Sequence, residues 1–252
     1  MPFRAEFDCL WCGRHHVCRG TDDIEGWAGL CPDCLGRAGD NGFLRSRLRA
    51  ALDERGAATV PPADPDDIYL GRGRFARTPI DEAAWNAELD AAGRWLDRVP
   101  LSGQIVELAA GAGWWSPLLA SKGELWVYDA DAGRLDRARD RLVAHGLRAH
   151  LHVRDPWAEP DRRVDAVFTA LWLGGVASER LATALELVHR WLTPGGRLAF
   201  IDSLGDPPAA TNRAVLAGHP ISQLDAALEA AGFEDREIAS TGRFLVTASA
   251  IA

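Results

Sequence analysis

The sequence predicts an α/β fold, a mostly parallel β-sheet with helices on both faces, preceded by a small zinc-knuckle module. From residue 103 onward, short apolar segments alternate with amphipathic helical segments, which is typical of successive β-α units. Two apolar segments flank Ser240-Thr241-Gly242 near the end of the chain and predict a final β-hairpin. Two Cys-x2-Cys pairs lie within the first 34 residues.

The composition is that of an ordinary folded protein. The 252 residues are 47% hydrophobic and 25% charged, which excludes collagen-like, coiled-coil and mostly disordered chains. The longest apolar stretch, Ala166 to Ala177, is too short to span a membrane, and charged residues stand where a signal peptide would be apolar. We therefore expect a cytoplasmic protein.

The charge balance opposes strong non-specific binding to nucleic acids. The formal net charge is −8, whereas such binding depends on Lys and Arg side chains that neutralise phosphates. The densest basic segment, Gly71 to Arg77, contains Arg72, Arg74 and Arg77. We interpret it as solvated charge near a domain junction.

The paired cysteines have the spacing of a structural zinc site. Two Cys-x2-Cys pairs complete a tetrahedral shell of four thiolates, with no open position for catalysis. A reducing compartment and the odd number of cysteines disfavour disulfides, and a redox pair would need a surrounding βαβ pattern. Cys18, His15 and His16 remain, and any of them could replace one ligand. The predicted zinc ligands are Cys9, Cys12, Cys31 and Cys34.

The predicted domains are a zinc module at residues 1–40, a connecting region at 41–80, and an α/β domain at 81–252. Within the connecting region, Asn41 to Arg55 has helical spacing, and Gly56 to Asp67 has the composition of a linker. Asp81 is the predicted N-cap of a helix with apolar residues from Trp85 to Leu96.

The α/β domain is predicted to contain seven strands and at least three further helices. The strands are Gln104 to Leu108, Glu124 to Tyr128, Ala149 to Val153, Val164 to Thr169, Arg197 to Ile201, Phe233 to Ala239 and Phe244 to Ala250. One helix spans Arg134 to His145. A second is capped by Ser178 and ends before Pro194-Gly195-Gly196, and a third begins at Ser222 with Asp225 as its capping-box partner.

Candidate ligand-binding residues follow the first three strands of this domain. The first strand ends in a tight turn with Glu107, Gly111 and Gly113, where glycines allow a ligand to approach the backbone. Asp129 ends the second strand, where a carboxylate can accept hydrogen bonds from both ribose hydroxyls. Asp155 follows the third strand, with an aromatic side chain two residues later that can stack on a base. The pattern predicts a nucleoside ligand.

A nicotinamide dinucleotide is the other common ligand of this architecture. Its fingerprint requires a third glycine where this chain has Ser116. Glu107 would also repel an anionic pyrophosphate, whereas it would attract the ammonium group of an amino acid.

The motifs ELAAGAG, VYDA, VRDPW, VDAVFTALWL and LTPGGRLAFID resemble those of the class I S-adenosylmethionine-dependent methyltransferases, over about residues 80 to 250. The resemblance implies a Rossmann-like seven-stranded sheet, S-adenosylmethionine as cofactor, and a lid segment before the first strand that includes Tyr69 and Trp85. The acid at Asp129 would hold the ribose, and Asp155 would lie near the adenine. The cofactor-binding residues that we predict are Tyr69, Glu107, Ala109, Gly111, Gly113, Asp129, Ala130, Asp155, Pro156 and Trp157.

We expect methyl transfer to a small-molecule acceptor, a hydroxylated or aromatic metabolite. Thr169-Ala170-Leu171-Trp172 stands where nucleobase and amide N-methyltransferases carry Asn-Pro-Pro-Tyr. An RNA methyltransferase that uses the zinc module, and a non-catalytic partner-binding protein with the same fold, are the alternatives.

The sequence singles out no catalytic residue. Asp202, Ser203 and His219 follow the fifth strand, but each is more consistent with a surface or structural role. Four tryptophans are predicted to lie near the rim of the pocket, although core packing is the simpler explanation for each one. They are Trp114, Trp115, Trp157 and Trp172.

Overall fold

The computed structural model describes residues 4–8, 15–19, 69, 79–204 and 218–252. The chain divides into two compact units, residues 1–63 and 64–252. The predicted zinc ligands, the helix at 41–55, the linker and the basic segment at 71–77 all lie outside the described residues. The first unit contains an antiparallel pair that the sequence did not predict, β1 (Arg4–Asp8) and β2 (His15–Arg19).

A seven-stranded sheet organises the second unit. Its strands are β3 (Gln104–Leu108), β4 (Glu124–Asp129), β5 (His150–Val153), β6 (Val164–Ala170), β7 (Leu192–Ser203), β8 (Glu234–Ser240) and β9 (Leu245–Ile251). The order across the sheet is β5-β4-β3-β6-β7-β9-β8. The pairs among β3 to β7 are parallel, and β9 is antiparallel to both β7 and β8. The predicted seven-stranded, mostly parallel sheet is confirmed.

Helices cover both faces of this sheet. They are α1 (Pro79–Arg98), α2 (Ser116–Ala120), α3 (Ala132–Ala144), α4 (Leu181–Trp191) and α5 (Ile221–Ala230). Trp85, Leu119 and Leu135 from the first three helices pack in one core, and Leu185 and Leu224 from the last two pack in the core on the opposite face. The strand order reverses between β3 and β6, so a crevice for a ligand is expected beside the carboxyl end of β3.

Three predicted helix caps are wrong. Helix α1 begins at Pro79, so Asp81 lies inside it. Ser178 opens a separate 3-10 turn, Ser178–Arg180, before α4 begins. Helix α5 starts after Pro220 without a side-chain cap, and its Asp225 pairs with Arg236 at an Nε to Oδ1 distance of 2.7 Å. An ion pair formed by the tertiary fold has replaced the local capping bond.

The correct cap of α3 is Asp131. Its carboxylate accepts hydrogen bonds from the backbone N–H groups of Gly133 at 2.8 Å and Arg134 at 3.1 Å. These bonds satisfy donors that a helix start otherwise leaves without a partner. The helix therefore begins two residues before the predicted Arg134.

A buried carboxylate holds the predicted hairpin between β8 and β9 against α1. Glu88 is only 6% exposed. Its oxygens accept hydrogen bonds from Arg243 N–H at 2.6 Å, from Phe244 and Leu245 N–H at 2.9 Å each, and from the Thr241 hydroxyl at 3.3 Å. The hairpin turn is therefore fixed by a residue more than 150 positions earlier in the chain.

In the part of the chain that the structure describes, no helix has the length and apolar character needed to cross a membrane.

Candidate cofactor site

Asp129 ties together the loops that follow β3, β4 and β5. Its side chain is only 5% exposed. One carboxylate oxygen accepts the Gly111 N–H at 2.8 Å, and the other accepts the Asp131 N–H at 2.9 Å. Its carbonyl oxygen accepts the N–H of Arg154, which follows β5, at 2.9 Å. The three predicted motifs therefore meet at one residue.

The loop after β3 contains three left-handed backbone positions, Ala109 at φ 53°, Gly111 at φ 57° and Gly113 at φ 70°. A Cβ at Gly111 would meet no atom within 4 Å, so a ligand can approach the backbone there. A Cβ at Gly113 would lie 2.6 Å from the Cβ of Ala138 on α3. The two glycines therefore have different roles. Gly111 leaves space for a ligand, and Gly113 allows α3 to pack closely.

Replacing Gly113 with alanine should lower the free energy of unfolding by about 2–4 kcal/mol, because left-handed strain and overpacking add. Gly146→Ala is the matched control, since Gly146 has φ 69° but no atom within 4 Å of an added Cβ. Only the strain of about 1–2 kcal/mol should remain there. Urea unfolding measures both values, and equal losses would show that contact with Ala138 is unimportant.

Glu107 is buried beneath this loop, with 2% of its surface exposed. Its carboxylate accepts a hydrogen bond from the Ser116 hydroxyl on α2. Burial, together with the nearby charge of Asp129, raises the pKa of Glu107 to about 8, against the opposing effects of the Ser116 hydrogen bond and the charge of Arg141. Glu107 is therefore mostly protonated at neutral pH, and it gains its negative charge readily when a cation arrives.

The sequence did not predict the part played by Ser116. The sequence indicates only that Ser116 breaks the dinucleotide fingerprint. Its position nine residues after Glu107 carries no periodic signal, and the contact forms because the tight turn folds α2 back over β3.

Tyr69 lies against the loop after β3, as the resemblance implied for a lid residue. Its ring stacks on Trp114 at 4.9 Å between centroids, with 7° between the planes, and meets Trp115 edge-on at 6.1 Å. The Arg141 guanidinium lies 4.9 Å from the Trp114 centroid. Trp85, the other lid candidate, is instead a buried residue of α1 that packs on Phe244, so that prediction is wrong.

The loop after β5 places Asp155 and Trp157 at the same edge of the sheet. Asp155 is exposed, and its carboxylate accepts the Trp157 N–H at 2.9 Å. The Trp157 ring contacts the Trp172 ring edge-on at 5.7 Å, and the Arg180 guanidinium lies 4.1 Å from its centroid. Of the other predicted cofactor residues in these loops, Ala130 is exposed and Pro156 is half-buried.

The four tryptophans predicted at the rim do not form one cluster. Trp114 and Trp115 pack in the core that includes α1 to α3, whereas Trp157 and Trp172 pack against the core formed with α4 and α5. They therefore border the carboxyl edge of the sheet from its two faces.

Asp202, Ser203 and His219 are buried, which excludes a surface role and agrees with the predicted structural alternative. Asp202 accepts the N–H of Gly174 at 3.0 Å and that of Ser203 at 2.7 Å. The Nε2 of His219 donates to the Leu173 carbonyl at 3.0 Å. Burial raises the pKa of Asp202 to about 6, although the hydrogen bonds that its carboxylate accepts act to lower the pKa.

Comparison with known proteins agrees with this geometry. Residues 105–196 match a family model described as "Methyltransferase domain". Over 107 residues the chain is 29% identical to the ubiquinone/menaquinone biosynthesis C-methyltransferase UbiE of Cellvibrio japonicus (strain Ueda107). That alignment covers 39% of this chain and 42% of the relative, so the chain matches less than half the length of this curated protein.

Solved structures share the fold. A structure described as a DhpI-SAH complex has a TM-score of 0.55 and 25% identity, covering 69% of this chain and 87% of that chain. The [4+2]-cyclase SpnF has a TM-score of 0.55 at 18% identity, covering 66% and 82%, which shows the fold alone. Residues 105–196 therefore resemble a methyltransferase domain, and the α/β part of the chain shares its fold with these solved structures.

Proposed function

We propose that the protein binds S-adenosylmethionine at the carboxyl ends of β3, β4 and β5 and transfers its methyl group to a small-molecule acceptor. The observation that carries this proposal is the bond between Asp129 and the Gly111 N–H, beside open space above Gly111. This hydrogen bond holds the carboxylate that would bind the ribose next to the glycine turn that would bind the methionine part of the cofactor.

Five of the predicted residues have a specific task in this proposal. Asp129 uses its two oxygens for the backbone N–H groups and retains lone pairs for the ribose hydroxyls. Glu107 lies beneath the loop where the ammonium group of the amino acid would bind. Asp155 and Trp157 lie where an adenine amino group and ring would bind, and Tyr69 covers the loop after β3.

When bound, S-adenosylmethionine would supply an electrophilic methyl group. The acceptor would bond to the methyl carbon in line as the carbon–sulfur bond breaks, S-adenosylhomocysteine would leave, and an acceptor hydroxyl would lose its proton to solvent. The protein therefore accelerates transfer mainly by positioning the two reactants and excluding water. Tyr69, Trp114 and Trp115 suit the exclusion of water, because Tyr69 stacks on Trp114 and meets Trp115 edge-on at the loop after β3.

We infer a flat, aromatic acceptor. Indole rings from both faces of the sheet border the carboxyl edge, and such rings pack well on flat molecules. The relative from Cellvibrio japonicus is named for quinone biosynthesis, which is consistent with an aromatic acceptor. The net charge of −8 disfavours the RNA alternative.

Methyl transfer can be measured with radiolabelled S-adenosylmethionine and the probe acceptors catechol and 1,4-hydroquinone, with total RNA in a parallel reaction. We expect label in the extracted aromatic product and none in RNA. Label in RNA alone would overturn the small-molecule assignment. Because the fold also occurs in a cyclase, absence of transfer to every acceptor despite cofactor binding would contradict the proposed activity.

Binding of S-adenosylhomocysteine should release protons from Glu107. The pKa of this carboxyl is raised to about 8 in the free protein, and an ammonium group beside it favours the ionised form. Calorimetric titrations at neutral pH in phosphate and in Tris should therefore give different apparent heats, corresponding to release of nearly one proton. Glu107→Gln should remove this difference, and a difference that persists in this variant would assign the proton to another group.

The same pKa shift makes stability depend on pH. Between pH 4.5 and about 8, the folded chain retains a proton on Glu107 that the unfolded chain has lost. The contribution of Glu107 to the free energy of unfolding therefore falls as the pH rises through this range.

We also propose that the first unit binds a structural zinc ion through Cys9, Cys12, Cys31 and Cys34. The first Cys-x2-Cys pair falls between the antiparallel strands β1 and β2, in which Asp8 pairs with His15. Two thiolate pairs would complete a tetrahedral site. Metal analysis should find about one zinc per chain, reduced in Cys31→Ser but not in Cys18→Ser. Folded protein without metal would contradict the proposal.

A further inference from the structure

The turn that follows β6 contains a strained residue at the carboxyl edge of the sheet. Leu171 adopts a left-handed conformation with φ 54°. This conformation is costly for a bulky side chain, and it persists only where the surrounding structure enforces it. Leu171 is followed by Trp172 and by a 3-10 turn, Leu173–Gly175. We call residues 171–175 the β6 turn.

Three hydrogen bonds from neighbouring segments hold the β6 turn. The Leu171 N–H donates to the Ile201 carbonyl at 2.9 Å. Asp202 accepts the Gly174 N–H at 3.0 Å. His219 donates from Nε2 to the Leu173 carbonyl at 3.0 Å. The Leu173 carbonyl and the Gly174 N–H belong to the same peptide unit. The Asp202 carboxylate accepts from its N–H, and the His219 imidazole donates to its carbonyl.

The two side chains are themselves held in place. Asp202 is 1% exposed and also accepts the Ser203 N–H at 2.7 Å. His219 is 4% exposed, and its Nδ1 lies 3.2 Å from the Gln223 side chain at the start of α5. A short parallel bridge joins His219 to Leu204, the residue that follows β7. The contacts of the β6 turn therefore connect it to β7 and to the start of α5.

We propose that Asp202 and His219 are positioning residues for methyl transfer, which act by fixing the β6 turn so that Trp172 holds the acceptor in line with the methyl group. This inference rests on the proposed function. The place of the turn supports it, because β6 lies beside β3 at the reversal of strand order, next to the loop that contains Gly111. In this inference neither residue acts as a catalytic base, because both are buried and each makes a hydrogen bond to the turn.

The test compares Asp202→Ala and Asp202→Asn in the full-length protein. Asparagine retains an oxygen that can accept the Gly174 N–H, whereas alanine removes it. A general base would be lost in both variants, so recovery by asparagine separates positioning from proton transfer. His219→Ala removes the second contact. Asp165→Ala is the control, because Asp165 accepts the Gln104 N–H at 2.8 Å at the opposite edge of the sheet.

Three measurements are made on each protein: calorimetric titration with S-adenosylhomocysteine, amide hydrogen exchange over residues 171–176, and kcat and KM for catechol methylation. We expect Asp202→Ala and His219→Ala to raise exchange in the β6 turn about tenfold or more. The value of kcat should fall by about tenfold to a hundredfold, with cofactor affinity unchanged within about twofold. Asp202→Asn should stay within about threefold of the wild type in kcat, and Asp165→Ala should leave exchange in the turn unchanged.

Failure of this inference differs from failure of the proposed function. Wild-type protein that does not bind S-adenosylhomocysteine contradicts the proposed function. Normal cofactor binding with unchanged exchange in Asp202→Ala shows that the contacts do not hold the turn. Faster hydrogen exchange in the β6 turn with unchanged kcat shows that the turn does not position the acceptor. If Asp202→Asn loses as much activity as Asp202→Ala, the carboxylate acts in another way than by holding the turn. Each of the last three results overturns the inference.

Discussion

Replacing Glu88 with alanine is expected to lower the free energy of unfolding by about 3–5 kcal/mol, the range for breaking a buried charged network. Three backbone N–H groups of the hairpin turn, those of Arg243, Phe244 and Leu245, would lose their acceptor at once. The Glu88 carboxylate also occupies the space that a Cβ on Gly242 would need, so its removal would leave this contact with the turn unfilled. Chemical unfolding followed by circular dichroism measures the change.

Two variants serve as controls for Glu88. Glu88→Gln retains one acceptor oxygen, but its amide NH2 group would face the backbone N–H donors of the turn. It should therefore lose about half as much stability as Glu88→Ala. Glu186→Ala removes an exposed glutamate from α4 and should change stability by less than about 0.5 kcal/mol. A loss in Glu88→Ala no larger than that in Glu186→Ala would show that the carboxylate does not hold the hairpin.

Replacing Asp129 with alanine is expected to weaken binding of S-adenosylhomocysteine about a hundredfold or more. Two charge-assisted hydrogen bonds to the ribose would be lost, each worth about 1.5–3 kcal/mol. The loop after β3 would also lose one of its hydrogen bonds to β4, because the Gly111 N–H would have no carboxylate acceptor. Isothermal titration calorimetry of both proteins measures the ratio of dissociation constants.

Asp140→Ala is the matched control for Asp129, because it removes an exposed aspartate from α3, the helix that follows the same strand. Its affinity should match that of the wild type. A circular dichroism spectrum unchanged in Asp129→Ala would show that the loss of binding is not caused by unfolding. Equal affinities for Asp129→Ala and Asp140→Ala would remove Asp129 from the cofactor site.

The sheet could be predicted from the sequence because its central strands are buried on both faces and are therefore nearly continuous apolar segments. The bounds predicted for β3 agree with the structure at both ends, and those of β4 and β6 differ by one residue. The ends of helices were predicted less well. Asp225 had the spacing of a cap but found a stronger partner in Arg236, which only the tertiary fold brings near.

The candidate site was predictable to the extent that its residues follow strands directly. Parallel strands place their carboxyl ends at one edge, so Asp129 and Gly111 had to lie close together once the strand order was assumed. The contacts of Glu88 and His219 could not be predicted in this way. They join residues 153 and 46 positions apart, and no local pattern specifies such a contact.

The most direct test of the account is calorimetric titration of the wild-type protein with S-adenosylhomocysteine. We expect one binding site per chain with a dissociation constant in the micromolar range, on the order of −8 kcal/mol of binding free energy. Absence of binding up to about 1 mM ligand, in protein that is folded by circular dichroism, would contradict the assignment of the carboxyl edge of β3, β4 and β5 as a cofactor site.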